Sequence, residues 1–178
     1  MVPWVAIEFR ARILMKHEAS ARVILEMPRQ AAWELLQDLS LSHHYVPGLT
    51  GTEITTEKQQ GVGASRRVYQ KSGRFIEETV SEWDPGYGFV IRLHRGEQRP
   101  PAPFQRAQFR YRLEDAGHQQ AALTTSLNFD MRWGGLGDFL YHRLLQRPIR
   151  GNVRQIAKQM KIYYESCYQE LTGSSEVV

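Results

Sequence analysis

Strict alternation of apolar and polar positions runs through most of this chain and gives way to a helical period in two places. Ala21 to Met27 alternates, with Val23 and Leu25 against Arg22 and Glu26, and reads as a strand. Pro28 suits the first turn of a helix. Ala32, Trp33, Leu36 and Leu39 then follow at close to helical spacing and predict one or two short helices. A loop with His43, His44, Tyr45, Pro47 and Gly48 leads to a strand over Thr52 to Glu57.

The stretch from Gly61 to Leu93 is the most informative. VGASRRVYQ and RFIEETVSEW alternate on either side of Lys71-Ser72-Gly73, and Asp84-Pro85-Gly86 marks the next turn. A three-residue hairpin loop commonly ends in a left-handed Gly, so Gly73 fixes the register. Gln70 then pairs with Arg74, which sets Val68 opposite Ile76, Arg66 opposite Glu78, and Ala64 opposite Val80. One face carries Val62, Ala64, Val68, Ile76 and Val80, with Arg66 and Glu78 facing each other in its middle. Ser65, Arg67, Tyr69, Phe75, Glu77 and Thr79 form the other, solvated face.

Tyr87 to His94 alternates again, with Phe89, Ile91 and Leu93 on one side. A proline-rich loop follows, then Gln105 to Leu113, with Ala107, Phe109, Tyr111 and Leu113 facing one way and four polar residues the other. After a turn at Glu114 to His118, a long last strand continues the apolar face through Ala121, Leu123, Thr125, Leu127, Phe129, Met131 and Trp133. Beyond Gly134-Gly135 the period becomes helical. LGDFLYHRLLQR predicts a short helix that Pro148 separates from a longer one. In the longer helix Ile149, Val153, Ile156, Met160, Tyr163 and Cys167 form one apolar stripe. A bent antiparallel sheet with one apolar face and a helix with one apolar stripe bury both by packing together.

With 178 residues and no internal repeat, the chain reads as a single domain. Residues 19–172 form it, 1–18 are an N-terminal extension, and 173–178 are a polar tail. The extension is either an arm covering Trp4, Ile7 and Phe9 or the product of a start upstream of Met15; no signal peptide is read there. The net charge of +4 is too small to argue for nucleic acid. Cys167 is the only cysteine, which excludes an internal disulfide and a cysteine-rich zinc site and fits a cytoplasmic location.

The strand–proline–helix opening with Trp33, Gly61-Val62-Gly63 with Arg66, Glu78-Thr79-Val80 before Trp83-Asp84-Pro85, and Gly134-Gly135 together resemble the START-like (SRPBCC, birch-pollen-allergen-like) superfamily. The likeness is to its polyketide cyclase/dehydrase-like branch and covers about residues 20–171. It implies an α+β helix-grip fold, with six to seven antiparallel strands wrapped around a long C-terminal helix. It also implies a pocket for an apolar or aromatic ligand between sheet and helix, without a cofactor.

On that resemblance Arg66 and Glu78 stand on the cavity wall, able to orient a ligand carbonyl or carboxylate; the alternative is a structural ion pair. Val68, Ile76, Phe89, Ile91, Phe109, Tyr111, Phe129, Met131, Trp133, Leu140 and Met160 would line the pocket, or fill it as ordinary core. Glu78, Arg66 and Tyr111 are the candidates for proton transfer if the protein is an enzyme. His43 and His44 are two potential metal ligands without acidic or thiol partners, while His17, His94, His118 and His142 are scattered, so no metal site is expected. Arg143, Arg147, Arg150, Arg154, Lys158 and Lys161 share a four-and-three spacing. They read as a solvated outer face or as a basic ridge for an anionic membrane or acidic partner. The leading expectation is a monomeric or homodimeric binding protein for a lipid, quinone or polyketide-like aromatic, with Leu136 to Gln146 as the gate. A cyclase, aromatase or dehydratase using the same cavity is the rival, and a lipid-delivery module acting through the basic ridge is the third reading.

Overall fold

The computed structural model describes residues 15–97 and 99–173. Strand β1 (His17–Leu25) is followed by helix α1 (Arg29–Leu36), a 3-10 turn (Leu39–Leu41) and the single-turn α2 (Ser42–Tyr45). Strands β2 (Leu49–Ile54), β3 (Ser65–Gln70), β4 (Phe75–Asp84), β5 (Gly88–His94), β6 (Phe104–Gly117) and β7 (Gln120–Met131) come next. The chain ends in α3 (Gly134–Leu140), a π turn (Tyr141–Leu145) and α4 (Gln146–Gly173). The seven strands form one antiparallel sheet in the order β1-β7-β6-β5-β4-β3-β2. Bulges between Val80 and Glu82 and between Phe104 and Arg106 bend it. With the long helical run packed on its apolar face, this is the expected helix-grip α+β fold.

The first hairpin has the register that Gly73 dictates. Its φ is +75°, the Gln70 N–H donates to the Arg74 carbonyl at 2.7 Å, and Arg66 lies opposite Glu78. On the convex side Arg67 pairs with Glu77 at 2.9 Å and covers the Phe75 ring, as a solvated face should.

Several elements depart from the pattern. β2 starts at Leu49 rather than Thr52, β1 starts at His17, and Leu39 leaves the helix for the 3-10 turn. Val62 lies outside the strand and is exposed. Trp133 does not continue the apolar face. It takes a left-handed φ of +66° just past β7, and its side chain is 62% exposed. Pro148 does not separate two helices. A proline inside a helix lacks a donor and crowds the carbonyl four residues back. Here the turn just before it widens to π geometry and the helical run from Gly134 to Gly173 continues. The Leu136–Gln146 segment therefore runs straight into α4 and is not hinged at both ends. Among the described residues no helix is long and apolar enough to cross a bilayer. The arm expected at Trp4, Ile7 and Phe9 lies outside the described residues, as does the tail beyond Gly173.

The core divides into two apolar clusters along the concave face. The first packs Leu25, Trp33, Tyr45, Val80, Phe89, Ile91, Tyr111, Leu113, Leu123, Ile156, Met160 and Tyr164 beneath α1 and α2. The second packs Ala19, Leu93, Ala107, Leu127, Phe129, Met131, Tyr141 and Val153 beneath the π turn and the start of α4.

Candidate functional site

The boundary between the two clusters is a line across the sheet. On β4, Ile76 packs with the second cluster and Val80 with the first, and Glu78 lies between them. On β7, Leu127 and Leu123 stand on either side of Thr125, which is fully buried and donates to the Met160 sulfur at 3.7 Å. On β6, Phe109 touches both clusters. Inward-facing Ile76 and Phe109 nevertheless stay only partly buried, as do Leu145 and Ile149 opposite them on the helical run. All four pack against the second cluster without being fully covered by it.

The polar floor of that boundary is the Arg66–Glu78 pair. Arg66 Nε donates to Glu78 Oε2 at 2.7 Å, with only 2% of the Arg66 side chain and 9% of the Glu78 side chain exposed. Arg66 Nη1 donates to the Leu39 carbonyl at 2.8 Å. That carbonyl is presented by the 3-10 turn, which Asp38 caps by accepting from the Ser40 N–H. Burial works most strongly against the Arg66 cation, but the Glu78 carboxylate, with Tyr45 and Tyr111 beside it, together outweighs that cost and holds the guanidinium firmly protonated.

Three buried tyrosines from three elements gather around the pair. Tyr45 comes from α2, Tyr111 from β6 and Tyr164 from α4. The rings of Tyr45 and Tyr164 meet edge-on at 5.8 Å. Tyr45 and Tyr111 both face the Arg66 guanidinium, and the Tyr164 hydroxyl faces Tyr45. That Tyr164 hydroxyl makes no hydrogen bond of normal geometry, although the residue is fully buried. Burial raises the pKa of all three phenols and keeps them neutral.

A raised phenol pKa contributes stability in full below the unfolded value of about 10 and loses it as pH rises beyond. Of the eight tyrosines, Tyr45, Tyr111 and Tyr164 are therefore expected to ionise only together with unfolding. Ultraviolet titration followed alongside circular dichroism checks this. Smooth ionisation of all eight in a protein that stays folded would contradict it.

Most of the predicted pocket residues lie on the concave face. Phe89, Ile91, Tyr111 and Met160 belong to the first cluster, and Phe129 and Met131 to the second. Val68 is buried beside them. Leu140 is half-buried on α3, and Trp133 is outside. The stripe on α4 also shifts by one position at its end. Tyr164 is fully buried, Tyr163 stacks on His44 at 4.9 Å, and Cys167 is only half-buried. Tyr45, Tyr164 and the Leu39 carbonyl are site groups that the sequence pattern does not reveal. Tyr164 is one residue away from the expected stripe, while no pattern marks Tyr45 or a backbone carbonyl.

The histidines stand apart from this floor. His43 and His44 lie on α2 rather than in a loop, their rings 4.0 Å apart, and His43 Nδ1 is 3.0 Å from the Ser40 carbonyl. His17 reaches across from β1 to Asp138 of α3 at 2.9 Å. His94 contacts Thr79.

Fold comparisons place the chain beside three solved structures. A START superfamily protein from Mycobacterium smegmatis superposes with a TM-score of 0.66 at 13% identity, covering 85% of this chain and 99% of its own. A Thermus thermophilus protein gives 0.64 at 17%, covering 85% and 99%. The ZhuI aromatase/cyclase of Streptomyces sp. R1128 gives 0.64 at 18%, covering 84% and 93%. At these identities the likeness is one of fold. No curated protein matches the sequence. The model of the polyketide cyclase / dehydrase and lipid transport family matches residues 16–165. This match spans most of the chain, and the protein belongs to that family.

Proposed function

We propose that the protein binds a hydrophobic small molecule between the sheet and the long helix, a lipid, quinone or polyketide-like aromatic. The observation that carries this reading is the incomplete burial of Ile76, Phe109, Leu145 and Ile149 on the concave side, next to the buried Arg66–Glu78 floor. Apolar walls supply the affinity, and a few fixed polar groups set the orientation. A ligand with an oxygen at its inner end would meet the Arg66 guanidinium and neutral phenol donors. Methyl-resolved NMR with a panel of such molecules tests the reading. Shifts gathered at Ile76, Leu93, Leu127, Leu145 and Ile149 are expected. Shifts confined to outward-facing Leu136 and Leu144 would overturn it.

A second reading is a cyclase, aromatase or dehydratase on a polyketide-like substrate. It is favoured by the family and by one feature of the site, a buried carboxylate beside neutral phenols. Glu78 would move the proton, Arg66 would hold a developing oxyanion, and Tyr111 would donate. Glu78→Gln keeps the shape but also removes the Arg66 counter-charge, so in protein first shown by its melting to be folded it should abolish turnover while leaving ligand affinity nearly unchanged. Turnover that survives would remove Glu78 from the chemistry.

A further inference from the structure

The outer face of the C-terminal helical run carries two features that neither the core nor the concave site uses. The first is apolar. Trp133, Leu136, Phe139 and Leu144 are 62%, 63%, 60% and 66% exposed. They fall within a dozen consecutive residues. Leu136 and Phe139 are three apart on α3, and Arg143 and Arg147 follow them along the helical run, both exposed. Scattered single apolar residues on a surface need no explanation, but a contiguous set of large ones marks an interaction site. Trp133 also holds a left-handed backbone that a side-chain-bearing residue rarely takes, while its indole stays outside.

The second feature is the one-sided charge. From Phe139 to Tyr164 the sequence has six Lys or Arg and no Asp or Glu. A solvated helix face normally interleaves both signs and pairs them at four-residue spacing. Here Arg143, Arg147, Arg150, Arg154 and Lys158 are exposed, and among the described residues none of them is in an ion pair. Lys161 leaves the ridge, because it donates to Glu165 and to the Ile24 carbonyl.

We infer that this face docks on an anionic phospholipid membrane. Trp133, Leu136, Phe139 and Leu144 would enter the headgroup boundary, while the arginines reach along it to the lipid phosphates. The charge argues for this partner over a second copy of the chain, since two such ridges brought together would repel. The inference does not depend on whether the concave face holds a ligand, so the two can fail separately.

Co-sedimentation with phosphatidylcholine vesicles, with and without phosphatidylserine, tests it, with the wild-type and variant proteins first checked for equal melting. Binding is expected only with phosphatidylserine, weakening as salt rises. Arg143→Glu with Arg147→Glu is expected to weaken binding by roughly tenfold or more. Leu136→Ser with Phe139→Ser should abolish it and remove the blue shift of Trp133 fluorescence. These residues are exposed, so the variants keep the fold. No binding to either vesicle, or equal binding to both, would overturn the inference. So would a concentration-dependent dimer that disappears with Leu136→Ser and Phe139→Ser, because a second copy would then cover the face.

Discussion

Glu78→Ala is expected to cost about 3–5 kcal/mol of stability, because it leaves the Arg66 guanidinium buried and without its counter-charge. At this chain length that is a fall in Tm of roughly 6–20 degrees. Arg66 would retain the Leu39 carbonyl, which cannot replace a carboxylate. The combined replacement of Arg66 by Met and Glu78 by Leu should recover most of the loss, since the attraction between two buried charges largely repays only their own desolvation. Urea denaturation of Glu78→Ala, of Arg66→Met and Glu78→Leu singly, and of their double variant measures this directly. A loss below about 1 kcal/mol for Glu78→Ala would mean that the pair behaves like a solvated surface bridge. The same cycle separates stability from function, which a single alanine variant would confuse.

Gly137→Ala is the second substitution with a large expected effect. In most helices Gly to Ala is favourable by about 1 kcal/mol. Here a Cβ would stand 1.8 Å from the Arg132 carbonyl oxygen and 3.0 Å from the Met131 Cβ. The clash is with backbone, so α3 must move away from the end of β7, and Met131 loses its packing in the second cluster. The expected loss is at or beyond the upper end of the roughly 1–3 kcal/mol typical of overpacking. Gly135→Ala is the control, because nothing lies within 4 Å of its added Cβ. It should leave the melting temperature unchanged or slightly higher. Equal behaviour of the two variants would show that α3 does not rest closely on β7.

The parts of this molecule that are legible in its sequence are those that period and turn chemistry control. A single glycine fixes the register that brings Arg66 opposite Glu78, and period-two alternation picks out the concave face. Where one-dimensional pattern competes with packing, it fails. Trp133 continues the alternation perfectly well, but the chain has already turned into the left-handed residue that starts α3. Tyr163 fits a four-and-three stripe as well as Tyr164 does, and only the position of α2 decides which one is covered. Pro148 marks a real disturbance, yet a widened turn absorbs it. The tyrosines around Arg66 come from α2, β6 and α4, far apart in sequence, and only the folded sheet brings them together.

Native mass spectrometry of the protein purified without added ligand, with solvent extraction of what it carries, tests the proposed binding role most directly. A discrete adduct of an apolar molecule is expected, and its loss when Ile76→Trp fills the concave space. An adduct that persists in Ile76→Trp would contradict it, as would wild-type protein that stays bare after incubation with lipids, quinones and aromatic polyketide-like compounds.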